Sequence, residues 1–159
     1  MKDGTNISSV TPSPLAGKRV LVVEDTWVVA KALQSILEKR GLLVSGPSAT
    51  VADAERLISE QVPQLAVVDI KLRGEMAFDL IEELYDRGVS VVVCSGFTVT
   101  PPAKAAAIVQ KPFSEAGLIE TLGDVLLRAQ KNSPPTDGPE RGRSHCGPRS
   151  GARASPEVS

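Results

Sequence analysis

Five side chains capable of chemistry stand at the ends of short apolar runs. Glu24 and Asp25 follow Val20-Leu21-Val22-Val23, and Asp69 follows Leu65-Ala66-Val67-Val68. Ser95 closes the run at 89–94, and Lys111 comes just after Ile108-Val109. Brought together, these residues define a particular chemistry. Crowded carboxylates repel one another and are pushed toward protonation unless a cation sits among them. A hard divalent ion with oxygen ligands meets that need, and Mg²⁺ fits best. Such an ion would also neutralise an incoming phosphoryl group, which Asp69 could attack as a nucleophile. Ser95 could donate to a phosphoryl oxygen and Lys111 could pair with the remaining charge. Singly, none of these residues is specific. An acidic pair complements a helix N-terminus, a serine caps a turn, and a lysine decorates a surface. The signal lies in the ordered set.

The elements that would position the set alternate between strand and helix. The run at 20–23 is continuous and rich in β-branched residues, as in a strand buried on both faces. Val28/Val29, Ala32/Leu33 and Ile36/Leu37 then recur every four residues, and Gly41 stops that helix. A second strand at 42–44 is expected to break at Gly46-Pro47. Thr50-x-x-Asp53 reads as a capping box for a helix carrying Ala54, Leu57 and Ile58, and Pro63 ends that unit. A third strand at 65–68 precedes a helix expected over 76–87, and a fourth strand covers 89–94. Ile108-Val109 forms a short fifth strand. Ser114 caps a last helix whose Leu118/Ile119, Leu122 and Val125/Leu126 make one apolar stripe. This alternation predicts an α/β fold: a doubly wound, five-stranded parallel sheet, flavodoxin-like, with functional residues outside the carboxyl ends of the strands.

Composition limits what else the chain can be. At 159 residues with 42% hydrophobic content it supports one core. A net charge of −1 gives no broad cationic field for nucleic acid or an anionic membrane. No apolar run approaches the roughly 18 residues needed to cross a bilayer. Two unmatched cysteines, Cys94 and Cys146, suit a reducing cytoplasm better than a disulfide framework. Residues 1–17 read as a flexible segment, 18–130 as the folded domain and 131–159 as a disordered tail with little to bury. His145-Cys146 and the tail arginines (Arg141, Arg143, Arg149 and Arg153) are weak signals, best read as part of a solvated linker. Trp27 is expected to pack at the start of the first helix.

The segments VLVVED, LAVVDIKL, VVVCSG and VQKPF resemble the receiver domains of two-component response regulators over about residues 18–128. The interval of 44 positions from Asp25 to Asp69 suits that family. The resemblance implies a phospho-accepting signalling domain rather than an enzyme, with Asp69 as acceptor and Lys111 and Ser95 holding the phosphoryl group. It implies Mg²⁺ held by Asp25, Asp69 and the backbone carbonyl of Lys71, with Glu24 acting through water, and a cis Lys111–Pro112 bond. The donor would be a sensor histidine kinase or a phosphotransfer protein. Output would pass through contacts with a downstream protein, or by draining phosphoryl groups from a kinase. The sequence departs from the family at three places. Ile108 replaces the aromatic residue three positions before the lysine. Ser95 and Lys111 are only 16 positions apart, with Pro101-Pro102 between them, which leaves room for a fourth helix of a turn or two. The Lys71 side chain would overhang the acceptor. Two other classes compete: a receiver-like binding module that is never phosphorylated, and an aspartyl-phosphate phosphohydrolase. The latter would carry Asp-x-Asp on the first strand, where this chain has Glu-Asp.

Overall fold

The computed structural model describes residues 13–132. Its strands are β1 (Arg19–Val23), β2 (Leu43–Ser48), β3 (Leu65–Asp69), β4 (Lys71–Leu72), β5 (Glu75–Met76), β6 (Ser90–Ser95) and β7 (Ala107–Gln110). Its helices are α1 (Trp27–Lys39), α2 (Val51–Glu60), α3 (Phe78–Asp86) and α4 (Glu115–Asn132). Five strands form a parallel sheet in the order β2-β1-β3-β6-β7, and β4 and β5 form a separate small hairpin.

Alternation along each strand sends successive side chains to opposite faces, and each face meets two helices. Val20, Val22, Val67, Val92 and Cys94 pack with Leu33 and Leu37 of α1 and with Leu118, Leu122 and Val125 of α4. Leu21, Val23, Val68, Val91 and Val93 pack with Ala54 and Ile58 of α2 and with Leu80, Ile81 and Leu84 of α3. Each fully buried leucine or valine adds roughly 1.5–3 kcal/mol of apolar transfer. Truncating Leu37, fully buried in the α1–α4 layer, to alanine would cost about 2–4 kcal/mol. From β1 the chain runs outward to β2 and then crosses back to β3 on the other side. The strand order therefore reverses between β1 and β3, where a crevice opens at the carboxyl ends.

Several local expectations are corrected. The second strand does not break at Gly46-Pro47; it continues to Ser48 with a register shift against β1. An edge strand tolerates a proline because one row of its backbone groups needs no partner. Gly46 is required there: it holds φ 96°, and a Cβ would lie 2.9 Å from Val22 O and Ser48 N. The third helix starts at Phe78 because Met76 is taken up by the hairpin, paired with Lys71. The short fourth helix is missing. Residues 96–106 cross from β6 to β7 with one i→i+3 turn, Ala105 N donating to Pro102 O at 3.0 Å. Trp27 opens α1 but is 71% exposed, as is Val28, because the buried stripe runs through Ala30, Leu33 and Leu37.

The expected loose segment 1–17 is partly overturned. Ser13 to Gly17 make a turn that buries Leu15 in the α1–α4 layer, whereas residues 1–12 lie outside the described region. At the other end α4 runs to Asn132, and the rest of the expected tail, with its arginines and His145-Cys146, lies outside the described residues. The Thr50 cap forms through Asp53 N (3.1 Å), and the Ser114 cap through Gly117 N (3.0 Å). No helix among the described residues is long and apolar enough to cross a membrane.

Candidate functional site

The carboxyl ends of β1, β3, β6 and β7 bring all five sequence-marked residues to the edge of the crevice. Glu24 leaves β1 with its backbone N–H bonded to Ser48 O (2.8 Å), which ties the strand end to β2. Its side chain is only 1% exposed. Glu24 Oε1 accepts from Thr26 N (3.0 Å), and Oε2 accepts from Lys111 Nζ (2.5 Å). Lys111 Nζ also donates to Asp69 Oδ2 (3.1 Å), while Asp69 Oδ1 accepts from Lys71 N (3.1 Å). Asp25 Oδ2 accepts from the backbone N–H of Arg73 (2.8 Å), and its Oδ1 has no partner among the described residues.

Glu24, Asp25 and Asp69 each bring a carboxylate oxygen within 4.8 Å of the others. Three carboxylates against one ammonium leave two negative charges when all are ionised. An all-oxygen donor set with that excess suits a hard divalent cation, so the residues present fit Mg²⁺. Burial pushes the Glu24 carboxyl above its usual range. The Lys111 and Thr26 hydrogen bonds pull it only part of the way back, and the Asp69 charge adds to the rise. For Lys111, burial works against the ammonium. Its hydrogen bonds to Glu24 and Asp69 outweigh that, and its pKa ends above the ordinary lysine value. Burial holds the Cys94 thiol at about 12, so it stays protonated and acts as a small core residue.

Ser95 is brought to the site but is turned away from it. It is fully buried, with Oγ donating to Phe97 O (2.6 Å) and accepting from Phe97 N (3.2 Å). Its carbonyl accepts from Lys111 N (2.7 Å), which aligns the lysine ahead of the cis Lys111–Pro112 bond. Lys71 enters through its backbone, and its side chain is exposed. Ile108 is partly buried and, like Val99 and Ala105, packs against the core of the α2–α3 face. Sequence reasoning missed the β4–β5 hairpin and its turn, Arg73 (φ 50°) and Gly74 (φ 91°). Left-handed backbone costs a residue with a Cβ about 1–2 kcal/mol. Arg-Gly between two short extended pairs was the available signal, but arginine is not a turn-former.

A doubly wound sheet with an acidic cluster and a lysine at its switch point defines the class. Residues 20–123 match the family described as the response regulator receiver domain. The chemotaxis protein CheY of Thermotoga maritima is 30% identical over 117 residues, covering 69% of this chain and 98% of CheY. The photosynthetic apparatus regulatory protein RegA of Cereibacter sphaeroides is 27% identical over 132 residues, covering 78% and 70% of the two chains. A CheY-like receiver domain protein from Methanospirillum hungatei superposes with a TM-score of 0.67 at 26% identity, over 73% of this chain and 98% of that one. The response regulator PhyR of Brucella abortus shares the fold, with a TM-score of 0.67 at 23% identity over 79% of this chain; the match spans only 55% of the length of PhyR. The chain belongs to the response regulator receiver domain family.

Proposed function

We propose that this receiver domain accepts a phosphoryl group on Asp69 from a phosphohistidine of a sensor kinase or phosphotransfer protein. The observation that carries the reading is the cluster itself: Lys111 Nζ lies within hydrogen-bonding reach of both Glu24 and Asp69, and Asp25 offers an oxygen with no partner among the described residues. Asp25, Asp69 and the Lys71 carbonyl would hold Mg²⁺, with Glu24 acting through water. When bound, the ion would offset charge on the incoming phosphoryl oxygens. An Asp69 carboxylate oxygen forms the new bond to phosphorus as the phosphorus–nitrogen bond breaks. The electron pair stays on the donor imidazole, which takes up a proton. Lys111 follows the developing charge from Asp69 onto the phosphoryl oxygens. Ser95 Oγ must leave Phe97 O to donate to one of them.

The relay of that event is where this chain departs from the usual pattern. Ile108 offers no ring to rotate, whereas the Ser95 hydroxyl is bonded directly to the helix-free crossover. Output then passes through protein contacts or by drawing phosphoryl groups off a kinase. The test is incubation with Mg²⁺ and acetyl phosphate, followed by intact-mass measurement. Wild type is expected to gain one phosphoryl group and Asp69→Asn none. An adduct of equal yield on the variant, or none on wild type, contradicts the proposal. Rapid multiple turnover in place of a stable adduct would favour a phosphohydrolase.

A further inference from the structure

Helix α3 buries Leu80, Ile81 and Leu84 and turns two rings outward among acids. Phe78 is 44% exposed and Tyr85 53%. Asp79, Glu82 and Asp86 are spaced by three and four residues, and Glu82 falls four after Phe78 and three before Tyr85, so all five share one helix face. Asp79 and Glu82 form no ion pair among the described residues, and Asp86 meets Lys104 at 3.5 Å. Between this face and the crossover at 96–106 lie two pockets of about 460 and 240 Å³, which share Ala103 and Lys104 as a common wall. The larger reaches Ser90 and Val91 at the start of β6, and the smaller reaches Phe78 and Glu82. Together they make a groove along α3 that the helix-free crossover leaves uncovered.

One segment of this chain has the chemistry that complements the groove. Residues 141–153 (RGRSHCGPRSGAR), outside the described region, contain four arginines and no acid. Guanidinium groups pair with carboxylates and stack on aromatic faces. The Tyr85 ring already has one cation beside it, Lys104 Nζ at 5.4 Å from its centre. Reach favours the same match. Helix α4 follows β7 and runs back toward the amino ends of the strands, where it ends at Asn132. The groove opens at that end, beside Ser90, and β7 is an edge strand, so no further strand stands in the way. Passing from one helical layer to the other is a step of about two helix diameters, roughly 20–24 Å. Residues 133–140 extend to about 29 Å at most, which covers it. The acidic acceptor cluster, by contrast, lies at the opposite ends of the strands.

We propose that residues 141–153 dock on the outer face of α3, with arginines pairing to Asp79 and Glu82 and stacking on Phe78 and Tyr85, so that the chain covers its own groove. The inference does not depend on Asp69 being the acceptor. Exposed ion pairs are weak singly and are screened by salt. Several act at once here, and the tether keeps the segment at a high effective concentration beside α3. The docked state is therefore salt-sensitive and reversible. A basic partner for this face must first displace the segment.

Cys146 lies inside the segment and Cys94 is buried, so a nitroxide can be attached to the native full chain at position 146. In amide spectra at about 0.05 M salt, the signals of residues 78–86 and 103–106 are expected to lose most of their intensity relative to the reduced label. Those of α2, which carries Asp53 and Glu55, should keep theirs and so control for charge alone. Raising the salt to about 0.5 M should restore the α3 signals. Arg141→Gln, Arg143→Gln, Arg149→Gln and Arg153→Gln together should do the same, and Asp79→Asn with Glu82→Gln should restore them in part. No loss at α3, or equal loss at α2 and α3, overturns the inference. So does an undiminished loss when the label and the observed nuclei are on different chains, because the groove would then hold the segment of a second copy.

Discussion

Replacing Lys111 with methionine tests the electrostatics of the site through stability. The ammonium sits 2.5 Å from Glu24 and 3.1 Å from Asp69. At an effective dielectric of about 20, such separations correspond to gross attractions of several kcal/mol each. Desolvation offsets much of this, so the relevant quantity is the cost of leaving the acids without their partner. For buried pairs that cost is roughly 3–5 kcal/mol. The Lys111 side chain is 21% exposed and that of Asp69 12%, and Glu24 can escape by taking up a proton, so about 2–3 kcal/mol is expected at pH 8. For a domain of this size that corresponds to roughly 10 °C in melting temperature. Burial already raises the Glu24 pKa above 4.5, and without Lys111 it climbs further. A carboxyl whose pKa is raised by folding favours the fold below its unfolded pKa and opposes it as pH rises through the folded value. The deficit should therefore be small near pH 5 and full at pH 8. Mg²⁺ should narrow it by supplying the missing positive charge. Denaturant titrations at pH 5 and pH 8, with and without Mg²⁺, measure all of this. A deficit independent of pH, or none at pH 8, would refute the reasoning.

Other expectations follow from the same geometry. Mg²⁺ at ten times its dissociation constant should add about 1.4 kcal/mol of stability. That appears as a rise of a few degrees in a calorimetric melt and vanishes in Asp25→Asn; no rise in wild type would contradict the metal site. Leu15→Ala should cost about 2–4 kcal/mol because Leu15 is 1% exposed within the α1–α4 layer. A smaller change than about 1 kcal/mol in denaturant titration would put the domain boundary back at Lys18. In a Cys146→Ser variant the remaining thiol, Cys94, should resist an aromatic disulfide reagent at pH 8 until the protein unfolds, since burial holds its pKa at about 12. Rapid reaction of the native protein would show that the β6 layer opens.

Most of the site was legible because its residues sit where strands end. Continuous apolar runs such as Val20 to Val23 announce buried parallel strands, and in a doubly wound sheet their carboxyl ends converge. Glu24, Asp25, Asp69, Ser95 and Lys111 could thus be brought together without knowledge of any helix boundary. What escaped depends on tertiary context. Leu15 is a lone leucine among prolines and serines, and only the packed layer shows that it is core. Pro47 reads as a breaker until β2 is seen to be an edge strand. The direction of the Ser95 hydroxyl is set by a hydrogen bond to the Phe97 backbone, which residue types do not encode. Arg73 belongs to no standard turn preference, so neither its left-handed backbone nor its bond to Asp25 could be read in advance. The crossover after Gly96 was expected to be short. That it lacks a helix reflects Pro101-Pro102 and the few residues left before β7.

The central claim is that Asp69 carries the phosphoryl group, and chemical mapping tests it most directly. After phosphorylation with Mg²⁺ and a small donor, borohydride reduces an aspartyl phosphate to homoserine, and peptide mapping locates the change. Homoserine at position 69 alone is the predicted result. Homoserine at Asp25, or none anywhere, would contradict the account.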